Sequence, residues 1–178
     1  SVGDTFGPLA VPGQYTVSIS TRVDNQLTEL IPPTPFDVEV LGTPSLPAPD
    51  RQATLTFQKQ TGELQRAVYG AYRVARDTAG QLQQMRQAAA SVPGIDPNLA
   101  VEARALELRL QDILERFDGD PTRPRRNEPA MPGILSRVQT VVSGHWTTSY
   151  GPTNSHRRSY EIAAEEYSEL LGDLKKLV

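Results

Sequence analysis

The chain has 178 residues, a formal net charge of −3 and no cysteine. That balance gives no global positive field to draw it to nucleic acid or anionic lipid, and the missing thiols exclude disulfides, thiolate metal sites and cysteine nucleophiles. With 38% hydrophobic and 22% charged residues it can build a real core, of one domain or two small ones, while no apolar run approaches the ~18 residues of a membrane span.

Residues 1–42 read as a β segment. Pro12-Gly13 is a turn signal, after which Tyr15, Val17, Ile19, Thr21 and Val23 alternate with polar residues in the period of a half-buried strand. Asp24-Asn25 marks a turn and Leu27 to Ile31 forms the returning strand. Pro32-Pro33 is expected to break the ladder, because proline has no N–H to donate, and Phe36 to Val40 reads as a separate third strand. Two or three strands do not make an independently stable sheet. This one is expected to belong to a larger β-domain and to lie on the helices that follow. Residues 43–50 read as a stiff, proline-rich linker.

The helical part spans residues 51–178. From Arg51 to Ser91, Phe57, Thr61, Leu64, Val68, Ala71, Ala75, Thr78, Leu82, Met85 and Ala89 recur at steps of four and three. That is a 3.5-residue repeat, which marks a helix packed along its length on other helices. Asp50 is placed to cap it. Small residues around Gly70 suggest a close approach of another backbone or a local kink. Pro93-Gly94 ends the helix, and Asp96-Pro97 opens a second one whose stripe is Leu99, Ala103, Leu106, Leu110, Ile113 and Phe117. The short connection makes the pair antiparallel, with the second helix covering the C-terminal half of the first.

Residues 119–132 form a polar, proline-rich loop, the segment expected to be most mobile. A short helix from Gly133 to Val142, with Ile134, Leu135, Val138, Val141 and Val142 apolar, follows, then a loop carrying His145, Trp146 and Tyr150. Thr153 caps the last helix, with His156 at the position where a capping box has glutamate or glutamine. Its stripe is Tyr160, Ala163, Tyr167, Leu170, Leu174 and Leu177, the natural cover for the N-terminal half of the long helix. The fold class expected is therefore mainly α within α+β. It is an antiparallel bundle of one long, two medium and one short helix, preceded by a small antiparallel β segment.

Chemistry is sparse. The two histidines, His145 and His156, lack metal-ligand spacing and a recognisable catalytic constellation, and packing or a helix-end hydrogen bond explains both. The aromatic loop with Trp146, Tyr150 and His145 could hold a sugar, whereas a lone tryptophan more often plugs a small core. Glu161, Glu165 and Glu166 lie on a polar helix face, and Arg123, Arg125, Arg126, Arg157 and Arg158 suit ordinary ion pairs. No phosphate loop, nucleophile elbow or calcium loop is present. No catalytic residue, metal ligand or cofactor is assigned.

The run Gly7-Pro8-Leu9-Ala10-Val11-Pro12-Gly13-Gln14-Tyr15-Thr16-Val17 resembles a segment near the end of large bacterial BNR-repeat, sortilin-like β-propeller proteins, where it belongs to an Ig-like sandwich. Ile134 to Val138, Gly144-His145-Trp146, Gly151-Pro152-Thr153 and Tyr160 to Tyr167 resemble the helical tail of the same group. The resemblance implies the last strands of an Ig-like domain plus a helical tail. It also implies an extracytoplasmic location and partners in upstream domains of the same polypeptide. The group's label of glycosyl hydrolase concerns the propellers, so no functional residue carries over. The chain begins at Ser1 without an initiator methionine, which fits a part of something larger. The function expected is a non-catalytic structural and interaction module. The alternatives are a carbohydrate-binding module using residues 143–150, a hydrolase activity held elsewhere in the parent, and a homodimer formed through the helices.

Overall fold

The structure is a computed structural model, and it describes residues 8, 10–42, 49–91, 94, 96–120, 122–145 and 148–177. A two-stranded antiparallel ribbon, β1 (Gly13–Val23) and β2 (Gln26–Val38), precedes the helices. Asp24 and Asn25 close it with φ of 47° and 64°. Those left-handed values are what a two-residue hairpin turn needs, and Asp and Asn tolerate them best.

The expected break at Pro32-Pro33 and the separate third strand do not occur. β2 runs through the prolines to Val38. Val17 pairs with Thr34 and Ile19 with Ile31, so Pro32 and Pro33 fall together opposite Ser18 in an irregularity of the register. A bulge leaves residues outside the ladder, where a missing N–H costs no hydrogen bond. The ribbon also does not lie on the helices: no Cα of either strand comes within 8 Å of a helix Cα.

The bundle contains α1 (Arg51–Ser91), α2 (Pro97–Asp118), a single turn α3 (Thr122–Arg125), α4 (Ile134–His145) and α5 (Asn154–Leu177). Asp50 caps α1, its Oδ1 accepting from Ala53 N–H at 2.8 Å. Asp96 caps α2 in the same way, accepting from Asn98 N–H at 2.9 Å. Each carboxylate satisfies an orphan donor and meets the positive end of a helix dipole.

The core runs through four helices. Val68 and Ala75 of α1 meet Leu110, Ile113 and Phe117 of α2, Ile134 and Val138 of α4, and Ala163, Leu170 and Leu174 of α5. All lie on the apolar stripes read from the sequence. Burial fades along the distal pair, however. Leu99 is 50% exposed and Met85 63%, because α4 and α5 lie along the other end of α1.

Two expectations need correction. α4, more than α5, covers the N-terminal half of α1, while α5 packs chiefly on α4. α5 reaches α1 through the Tyr160 ring, 5.5 Å from that of Phe57, and through Tyr167, whose hydroxyl donates to the Ala67 carbonyl at 3.1 Å. The valine-rich stripe of α4 is narrow enough to slot between the two longer helices. Gly70, in turn, is exposed and has nothing within 4 Å of where a Cβ would stand.

The close approach is instead at Gly133. A Cβ there would lie 2.5 Å from both Gly119 N and the Phe117 carbonyl oxygen. Gly119 turns away from α2 with φ of 85°. Glycine at both positions lets the two ends of the long loop cross, and sets α4 directly against the end of α2. Within the loop Asp120 Oδ1 accepts from Thr122 N–H at 2.8 Å and from its hydroxyl at 2.6 Å. Those two donors hold the Asp120 carboxyl below its ordinary range. The segment expected to be mobile is thus pinned at its ends and carries the unexpected turn α3.

Candidate functional site

The densest cluster of chemistry-bearing side chains lies where α4 ends, α5 begins and α1 starts. α4 runs three residues further than expected, so His145 is its last residue rather than part of a loop. The side chain continues the stripe Ile134, Val138, Val141 by one more step of four and has no exposed surface. Its Nδ1 lies 2.7 Å from the Val141 carbonyl oxygen. A carbonyl can only accept, so Nδ1 carries the proton and Nε2 is bare. Nε2 is buried without a hydrogen-bond partner among the described residues.

The His145 ring faces Phe57 at 5.1 Å and His156 at 5.4 Å between centroids. Burial pushes its pKa below the ordinary 6.5. The bond to Val141 pulls the other way, and the neighbouring His156 and Arg157 add to the depression. Arg157 itself lies over the Phe57 ring, 5.5 Å from its centroid.

His156 closes the capping box anticipated from the sequence. Its backbone N–H donates to Thr153 Oγ1 at 3.2 Å, and its Nδ1 accepts from Thr153 N–H at 3.4 Å. Nδ1 is therefore the bare nitrogen of this ring. Gly144 makes room for it: a Cβ there would stand 2.5 Å from His156 Nε2.

The backbone of His145 is a junction. Its carbonyl accepts from Gln58 Nε2 at 3.0 Å, from Thr148 Oγ1 at 3.0 Å and from Thr148 N–H at 3.3 Å. Tyr150 folds back to donate to the Gly144 carbonyl at 3.1 Å. Of the residues singled out in the sequence, the structure thus brings His145 and Tyr150 to one helix end, both turned inward. Trp146 lies outside the described residues.

Sequence reasoning missed Phe57 and Gln58 as the partners of His145. The signal was present: Thr54, Gln58 and Thr61 extend the α1 stripe at helical spacing and are buried. A polar side chain at such a position calls for a partner across the interface.

One concavity adjoins the cluster and another lies at the opposite end of α4. The latter, of about 800 Å³, is bounded by Asp112, Glu115, Arg116, Asp120, Arg123 and Glu169. Arg116 already reaches Asp173 at 3.0 Å and Glu169 at 3.6 Å, and Arg123 reaches Asp120 at 3.4 Å. The other, of about 440 Å³, lies between the base of the ribbon (Val11, Val38, Val40) and Thr54, Leu55 and Thr148. Among the described residues no three His, Asp or Glu side chains gather to hold a metal ion, and no helix is long and apolar enough to cross a membrane. No protein-family model, curated protein or solved structure matches this chain.

Proposed function

We propose that this chain is a non-catalytic structural and interaction module. In this reading the bundle is a rigid base, and the ribbon is one part of a sheet completed by other domains of a larger extracytoplasmic protein. The resemblance to the ends of BNR-repeat, sortilin-like propeller proteins names the kind of parent.

The observation that carries the reading is the ribbon's uncovered apolar face. Val17, Ile19, Ile31 and Phe36 are each about half exposed, and partner or alternate along the paired strands. A two-stranded sheet with such a face is marginal in water until another layer covers it. The two outer edges differ as well. β2 carries Pro32, Pro33 and Pro35, each lacking an N–H, whereas β1 has no proline from Gly13 to Val23. An added strand therefore pairs with β1.

The test compares amide exchange in this chain with that in the parent polypeptide. β1 amides are expected to exchange quickly here and to be protected in the parent. Equal, strong protection in both would sink the reading, as would glycoside hydrolysis by this chain alone.

A further inference from the structure

We propose that His145 is a proton-operated latch, holding the C-terminal end of α4 against the starts of α1 and α5 while its ring is neutral and releasing it in acid. The geometry gives the ring a reason to stay neutral. His145 spends its one proton on the Val141 carbonyl, and its second nitrogen is sealed in the core without a partner. A proton added there creates a buried cation with nothing to accept its new N–H. His156 uses its bare Nδ1 to receive the Thr153 N–H. Its own proton therefore sits on Nε2, so the ring offers His145 no free acceptor.

The surroundings offer no compensation. From α5 the His145 ring faces His156, with Arg157 close enough to act on it electrostatically. From α1 it faces Phe57, and Gln58 holds its carbonyl. From the following loop Thr148 holds the same carbonyl, and Tyr150 holds that of Gly144. The charged or titratable neighbours are thus a second imidazole, a guanidinium and a phenol, with no carboxylate. No ion pair among the described residues involves either histidine. A protonated His145 ring is repelled by the Arg157 guanidinium close to it.

The sign follows. His145 is held neutral when folded, but takes a proton at its ordinary pKa of 6.5 when released. The stability it contributes is complete above that value and declines as pH falls from there toward the depressed folded pKa. Opening this end also frees the His145 carbonyl from Gln58 and Thr148. Both residues border the concavity between the ribbon's base and α1, so acid would loosen one wall of it.

The experiment is a pH titration of the whole chain by ¹⁵N NMR of the imidazoles, combined with amide exchange corrected for its intrinsic pH dependence. At neutral pH His145 is expected as the Nδ1–H tautomer and His156 as the Nε2–H tautomer. Below pH 6.5, protection at the end of α4 and the first turn of α5 is expected to fall by up to about tenfold per pH unit. His145→Phe is expected to flatten that slope. His156→Gln, which keeps an acceptor for the Thr153 N–H, is expected to retain the slope. A His145 that titrates at its ordinary value without loss of protection overturns the latch, as does a slope unchanged in His145→Phe. Should His145→Phe fail to fold, the titration of the unaltered chain and His156→Gln decide it.

Discussion

The stripe of α1 and the apolar face of β1 are equally regular in sequence, yet they end in opposite surroundings. Val68 and Ala75 reach complete burial under three other helices. Val17 and Ile19 keep about half of their surface. Periodicity tells which side of an element is able to be covered, and leaves open whether a cover is present. In the bundle each stripe meets another stripe of the same chain. In the ribbon the face has no counterpart among the described residues, and that asymmetry separates what the chain stabilises by itself from what it offers to others.

The largest break in this comparison is expected at Phe117. It is fully buried, edge-to-face with Tyr72 at 5.5 Å, and sits where α1, α2 and α4 converge. Phe117→Ala should lower the unfolding free energy by about 3–5 kcal/mol in a urea titration. A loss below about 1 kcal/mol would mean that the junction collapses to fill the space, and that it is no hub of the bundle.

Next in size is Gly133→Ala. The added methyl meets backbone rather than flexible side chains: Gly119 N and the Phe117 carbonyl oxygen at 2.5 Å, and the Asp118 carbonyl carbon at 2.7 Å. Relief requires α4 to slide away from the end of α2, at a cost of about 1–3 kcal/mol. Gly70→Ala is the control, since nothing lies within 4 Å of its would-be Cβ. There alanine should stabilise α1 by up to about 1 kcal/mol through helix propensity alone. Thermal unfolding of the two variants should shift in opposite directions.

The same residues show how far the sequence could be read. The stripes of α1, α2, α4 and α5, the caps at Asp50, Asp96 and Thr153, and the Asp24-Asn25 turn follow from local chemistry, and local chemistry is present in the sequence. The crossing at Gly119 and Gly133 is a contact between two chain segments, and the loop setting of both glycines marks helix ends without showing that those ends meet. The continuity of β2 through Pro32-Pro33 depends on a bulge opposite Ser18, set by pairing across the ribbon and not by β2 itself. His145 read as a loop residue because Gly144 and Trp146 beside it look like loop chemistry. Its place at the end of α4 became plain only with Gln58 and His156 around it.

The smallest expected effect is the most telling about the ribbon. Ile19→Thr keeps a β-branched side chain and its strand preference, so the ribbon should still form. In this chain Ile19 is 50% exposed, and its replacement should change bundle stability by less than about 0.5 kcal/mol. If, as proposed, a second layer covers the face in a longer parent polypeptide, the same hydroxyl would be buried there without a partner and should cost about 1–3 kcal/mol. Parallel urea titrations of the two polypeptides read the difference directly. A cost of the larger size in this chain would show that its own helices already cover the ribbon. A negligible cost in both would show that the face stays in water, leaving the β1 edge as the ribbon's only means of attachment.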